Sequence, residues 1–128
     1  MIDGVRVLVA DDNDGIRTTT AMILESVGCT VVEAEDGQVA LEELRSQPFD
    51  VAVLDVRMSI RDGVSDVENL HPEPPPPGVV MTSAYPFENE LRARLGTRVF
   101  RYLSKPVPPK DLIEAVGEAA EHVRARGA

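Results

Sequence analysis

A single cysteine, Cys29, stands in the 128 residues. That excludes an internal disulfide framework and a cysteine-built zinc cage. The two histidines, His71 and His122, lie far apart and share no metal-ligand spacing. No apolar run approaches the roughly 20 residues that a bilayer span requires. The opening residues 1–6 carry an acid and a base and no signal-peptide pattern. Together these absences predict a reducing cytoplasm. Lysine is scarce as well: Lys105 and Lys110 are the only two among thirteen bases. There is no basic arm. The 22 acids outnumber the bases to give a net charge of −9, a poor balance for neutralising phosphates, so direct nucleic-acid binding is not expected. The acidity is uneven. Residues 1–70 hold 15 acids and 5 bases, and residues 71–128 hold 7 acids and 8 bases. Such a chain suits a bound cation or a basic partner surface.

What is present fits one domain, residues 1–128, within the roughly 100–200 residues usual for a domain. Strand-like and helix-like segments alternate. The apolar run Val5–Ala10 stops at Asp11-Asp12. From about Asp14 the apolar period turns helical, through Ile16, Thr20, Ile23 and Val27, and Gly28 ends it as a C′ glycine would. Thr30–Ala34 reads as a second strand. Asp36-Gly37 turns the chain into a short helix over Val39, Ala40, Leu41 and Leu44, closed by Pro48. Phe49–Leu54 reads as a third strand ending at Asp55, and Val64–Leu70 as a short helix. The proline-rich stretch 72–77 cannot be helix interior or central strand and reads as an extended surface connector. Val79–Ser83 is a fourth strand, and Phe87, Leu91 and Leu95 are spaced for a fourth helix. Arg98–Leu103 is a fifth strand. Pro108 or Pro109 opens a last helix carrying Leu112, Val116, Ala119 and Val123 along one side.

Five β-α units in sequence predict parallel strands joined by right-handed crossovers, with helices on both faces. The fold class is a three-layer, doubly wound α/β domain. In such sheets ligands bind beyond the carboxyl ends of the strands. Asp11-Asp12 follows strand one, Asp55 strand three, Ser83-Ala84 strand four and Ser104-Lys105-Pro106 strand five. The fold would thus gather three carboxylates, a hydroxyl and an ammonium at one edge. Close carboxylates repel and call for a counter-charge. A hard divalent cation supplies it, typically held by one or two carboxylates plus water. Metal, lysine and hydroxyl together suit a phosphoryl group, and one carboxylate can attack phosphorus to give an acyl phosphate.

With these motifs in order, Asp11-Asp12, the stretch Asp55–Gly63, Ser83-Ala84 and Tyr102-Leu103-Ser104-Lys105-Pro106, the chain resembles a receiver (CheY-like) domain of two-component response regulators. The resemblance spans Val5 to about Val123. The gaps of 43 residues from Asp12 to Asp55, 28 to Ser83 and 22 to Lys105 each suit one crossover. It implies a flavodoxin-like five-stranded parallel sheet of order 2-1-3-4-5. It also implies that Asp55 is the phospho-acceptor and that Asp12 binds Mg²⁺ (or Mn²⁺), with Asp11 assisting and the Arg57 backbone carbonyl as a further ligand. Ser83 and Lys105 would bind the phosphoryl group, Tyr102 would be the switch aromatic that follows Ser83, and Pro106 would follow a cis bond. The implied partners are a histidine kinase or histidine phosphotransfer protein, and a downstream target or linked output domain. A phosphorylation-dependent dimer belongs to the same expectation.

Three positions depart from the family pattern. Ser59 stands where proline is usual, the proline-rich connector follows the third helix, and Arg57 lies beside the acceptor. The basic stretch Arg92, Arg94, Arg98, Arg101, Lys105 and Lys110 marks the helix 4, strand 5, helix 5 surface as a candidate partner face. A phosphorylation-independent docking or dimerisation module is the alternative. An aspartyl phosphatase ranks last, because its general acid would occupy the place of Arg57, and no turnover beyond the chain's own phosphoryl transfer and dephosphorylation is expected. The last helix runs almost to Ala128, which suits a stand-alone receiver or one cut from a longer chain.

Overall fold

The computed structural model describes residues 2–58, 63–69, 76–84 and 88–127. Its strands are β1 (Arg6–Ala10), β2 (Thr30–Ala34), β3 (Val51–Asp55), β4 (Gly78–Ser83) and β5 (Arg101–Ser104). Its helices are α1 (Asp14–Ser26), α2 (Gly37–Ser46), α3 (Gly63–Glu68), α4 (Glu88–Leu95) and α5 (Pro109–Gly127). The strands form one parallel sheet, as the alternating pattern predicts, in the order β2-β1-β3-β4-β5 that the receiver resemblance implies.

The central strands read as near-continuous apolar runs because both of their faces are covered. Period-two alternation then sorts their side chains into two cores. Leu8, Ala10, Ala52, Leu54, Val79 and Met81 pack toward Ala40, Val64, Val67, Leu91 and Leu95 of α2, α3 and α4. Val7, Val9, Val51, Val53 and Val80 pack toward Leu24 of α1 and Leu112, Ala115, Val116 and Ala119 of α5. Each fully buried Val or Leu contributes about 1.5–3 kcal/mol.

Helix ends follow local chemistry. Asn13 caps α1, its Oδ1 accepting from Ile16 N at 3.0 Å, and Asp36 caps α2, accepting from Val39 N at 2.9 Å. Such caps contribute about 1 kcal/mol apiece. The fifth strand starts later than its apolar run suggests. A 3-10 turn, Gly96–Arg98, prolongs α4, with Gly96 at φ 59°, so the chain reaches the sheet at Phe100, whose amide donates to Val79 O at 2.7 Å, and the strand runs from Arg101. Of the predicted fourth-helix positions, Leu91 and Leu95 are buried in the core, whereas Phe87 lies outside the described residues. So do Ser59, His71 and residues 72–75 of the connector. Pro76 and Pro77 lead, half-buried, into β4.

Gly28 ends α1 at φ 102°, as its position predicts. A Cβ there would collide with the Asp3 carboxylate and lie 2.9 Å from Asp3 Cα. Left-handed backbone and steric conflict coincide at the end of the molecule opposite Asp55. Gly28→Ala is therefore expected to lose about 1–3 kcal/mol of stability, read as a lower urea midpoint with an unchanged slope.

Candidate functional site

The carboxyl ends of β1, β3, β4 and β5 meet at one edge of the sheet. Asp55, the last residue of β3, lies opposite Thr82 in the β4 register, and Ser83 follows one position further out. The Val56 amide donates to Thr82 O at 2.9 Å, and the Lys105 amide donates to Ser83 O at 2.8 Å. The ladder thereby extends past the strands and carries the loops that hold the chemistry. The Lys105-Pro106 bond is cis.

Lys105 Nζ donates to Asp11 Oδ2 at 2.8 Å and to Asp55 Oδ2 at 3.0 Å. The remaining oxygens are held by main chain. Asp11 Oδ1 accepts from the Asn13 amide at 2.9 Å, and Asp55 Oδ1 from the Arg57 amide at 3.3 Å. Asp11 and Asp55 are buried, whereas Asp12 is exposed. One oxygen from each of Asp11, Asp12 and Asp55 falls within 4.8 Å of the others. This is an all-oxygen donor set of high negative charge with one open side, which fits a hard divalent cation such as Mg²⁺. The Arg57 backbone carbonyl is the further ligand that the receiver resemblance adds.

Three carboxyl groups lie close together, and two of them share one ammonium. Burial pushes the Asp55 carboxyl above its usual range; the Lys105 hydrogen bond pulls it down, and the charge of Asp11 pushes it up again. Burial also works against the Lys105 charge, yet hydrogen bonds from its ammonium to Asp11 and Asp55 outweigh it and leave the lysine above its ordinary value. The two shifts are compatible because one lysine is shared between two carboxylates.

Gly63 opens α3 against the Asp55 main chain. A Cβ on it would collide with the Asp55 carbonyl oxygen and approach Met81 Cε to 3.1 Å. The glycine in the stretch Asp55–Gly63 is thus required by a close backbone approach. Two more residues of the site carry no motif of their own. Asn13 combines the α1 cap with the amide on Asp11, and Arg17 donates from Nη1 to the Asp11 carbonyl at 2.9 Å. The cap signal, Asn ahead of Asp14 and a helical period, was available for Asn13. No spacing rule identifies Arg17.

The remaining predicted residues lie further along the same side. Tyr102 is half-buried on β5, paired in register with Met81. The Arg92 guanidinium carbon lies 5.0 Å from its ring centroid. Much of the predicted basic face is engaged within the molecule. Arg94 forms a two-pronged pair with Glu68, both contacts at 2.9 Å, and Arg101 pairs with Glu118 at 2.9 Å. Lys105 is drawn into the acidic site.

A cavity of about 480 Å³ adjoins this edge between α1 and the segment after β5, lined in part by Asp11, Ile16, Thr20, Lys105 and Val107. No helix among the described residues is long and apolar enough to cross a membrane.

Comparison with known proteins agrees with this geometry. The family model for the response regulator receiver domain matches residues 7–117. The chain is 32% identical over 118 residues to the sensor histidine kinase GacS of Pseudomonas protegens, covering 87% of this chain and 13% of that protein. It is 32% identical over 121 residues to the transcriptional regulatory protein ZraR of Escherichia coli, covering 94% of this chain and 27% of that one. The chain therefore spans a minor part of these relatives. A receiver domain structure from Methanospirillum hungatei superposes with a TM-score of 0.86 at 28% identity, covering 96% of this chain and 98% of that one.

The raised Asp55 carboxyl has a consequence for the metal-free protein. Because its folded value exceeds the unfolded one, stability is lost as pH rises from the unfolded toward the folded value, and the loss is complete above it. The penalty vanishes below the unfolded carboxylate range, near pH ~3.9. Without divalent metal, Asp55→Asn is expected to unfold at a higher temperature than the parent at pH 7. The difference should shrink as pH falls into the carboxylate range. A constant difference in melting temperature from pH 7 to 4 would contradict this reading.

Proposed function

The chain belongs to the response regulator receiver domain family, and from that premise we propose that it is a phospho-acceptor signalling switch whose acceptor is Asp55. The observation that carries the reading is the clustering of Asp11, Asp12 and Asp55 at the carboxyl edge of the sheet, with the Lys105 ammonium bridging Asp11 and Asp55. Asp11, Asp12 and Asp55, with the Arg57 carbonyl, would hold Mg²⁺ or Mn²⁺, which neutralises phosphoryl oxygens when bound.

In the reaction, a carboxylate oxygen of Asp55 attacks phosphorus in line. The new O–P bond forms as the N–P bond of a partner's phosphohistidine breaks, and the imidazole leaves with the electron pair. Lys105 turns from Asp55 toward the incoming phosphoryl oxygens and keeps their charge compensated. Ser83, on the next strand, supplies a hydroxyl hydrogen bond to the same group. Drawing Ser83 inward biases Tyr102 and the α4, β5, α5 surface toward a second arrangement, a population shift set by the differential contacts of the phosphorylated state. Hydrolysis of the acyl phosphate resets the switch.

The reading assigns the chain no external substrate to turn over. Small-substrate aspartyl phosphatase chemistry wants a second acid two residues past the nucleophile, and Arg57 stands there. The donor is a histidine kinase or histidine phosphotransfer protein in the cytoplasm. The receiver of the signal is a separate target, a linked output domain or a second copy of the chain.

Intact mass after incubation with acetyl phosphate and Mg²⁺ tests the proposal. The parent is expected to gain one phosphoryl group. Asp55→Asn, and the parent in EDTA, should gain none. A folded parent with no gain, or an equal gain in Asp55→Asn, would sink the acceptor assignment.

A further inference from the structure

We infer that Arg17 is a positioning residue for the divalent metal: it locks the Asp11–Asp12 peptide in the orientation that turns the Asp12 carboxylate toward Asp55. This inference rests on the metal-dependent reading of the acidic cluster.

Each nitrogen of the Arg17 guanidinium has its own partner, on a different part of the molecule. Nη2 meets Asp14 Oδ1 at 2.8 Å on α1, and Nε meets Glu33 Oε1 at 3.2 Å on β2. Nη1 donates to the main-chain oxygen of Asp11 at 2.9 Å, in the loop between β1 and α1. The side chain is only 14% exposed, although it belongs to a residue type that is seldom buried. Burial disfavours its charge, but the pairs with Asp14 and Glu33 outweigh that cost and hold the guanidinium firmly protonated.

The location of the Nη1 bond is what matters. Asp11 is already fixed at its amide, which donates to Ala34 O at 3.2 Å, and at both carboxylate oxygens. Its carbonyl is the last polar group of the residue, and Arg17 takes it. A carbonyl and the following amide share one plane. Holding the Asp11 oxygen therefore fixes the plane from which Asp12 departs. Asp12 is the exposed member of the acidic cluster, so a rotation of that peptide would swing its carboxylate away from the other two. Residues that orient metal ligands in this indirect way typically change metal affinity by about 10–100-fold when removed.

Electrostatics alone predicts the opposite sign. Arg17 is a cation beside an acidic site, so deleting its charge should tighten binding of Mg²⁺. The two accounts can therefore be separated by direction. Mg²⁺ titrations followed by backbone amide NMR shifts would be run at low temperature on folded parent, Arg17→Met and Arg17→Lys. Metal-free melting temperatures would be recorded alongside. The expected result is Mg²⁺ affinity lowered at least about tenfold in Arg17→Met. Arg17→Lys should also be weakened, because lysine keeps the charge but cannot span three partners. Affinity equal to or tighter than the parent's in either variant would overturn the inference, even if its melting temperature falls, since that pattern marks a purely structural brace. Arg17→Lys carries the test by itself if Arg17→Met does not fold. A parent that binds no Mg²⁺ would instead overturn the metal-dependent reading on which the inference rests.

Discussion

One ammonium, Lys105 Nζ, bridges two buried carboxylates that lie 94 and 50 residues away in sequence, Asp11 and Asp55. Like charges that close, shielded from water, would destabilise the carboxyl edge of the sheet without a counter-charge. Lysine supplies one positive charge to a cluster of three acids, counting Asp12. The folded chain is thus left with an excess of negative charge at a defined point. That imbalance is a cost to stability, and under the proposed function it would be the basis of affinity for a divalent cation and, through it, for a phosphoryl group.

The rest of the molecule serves to keep this arrangement in register. Strands β1, β3 and β4 are buried on both faces, so their polar residues can stand only at their ends. Parallel pairing puts those ends at the same edge. Gly63 brings the start of α3 against the Asp55 carbonyl, and the Lys105 amide on Ser83 extends the β4–β5 ladder to the lysine itself. Asn13 and Arg17 do the same for the β1–α1 loop, one through an amide on a carboxylate and the other through a guanidinium on a carbonyl. Two cations therefore touch Asp11 in opposed roles. Lys105 occupies the charge that a metal would compete for, whereas Arg17 braces the loop that presents it.

The parallel sheet and the gathering of Asp11, Asp12, Asp55 and Lys105 were legible because they depend on patterns that the chain repeats, whereas the strand order followed only from the family resemblance. Apolar runs of strand length alternate with helical periods, and each run ends in a polar residue. The start of β5 was not legible, since the apolar pattern does not show that the turn at Gly96–Arg98 delays the chain's arrival at the sheet until Phe100. The partners of the basic stretch from Arg92 to Lys110 were not legible either. Composition shows charges but not their partners, and Glu68 and Glu118, which engage Arg94 and Arg101, come from other elements. Arg17 was hidden because its value lies in two contacts outside its own helix, to Asp11 and Glu33, which follow no helical spacing; only its pair with Asp14 does.

The central claim is that Lys105 neutralises the same carboxylates that a divalent metal would bind. The most direct measurement is the Mg²⁺ affinity of Lys105→Met against that of the parent, by calorimetric titration of the folded proteins. Removing a competing cation from contact with two carboxylates is predicted to tighten Mg²⁺ binding by about tenfold or more. Binding that is unchanged or weaker in the variant would contradict the claim, and would mean that the lysine and the metal do not share the acidic cluster.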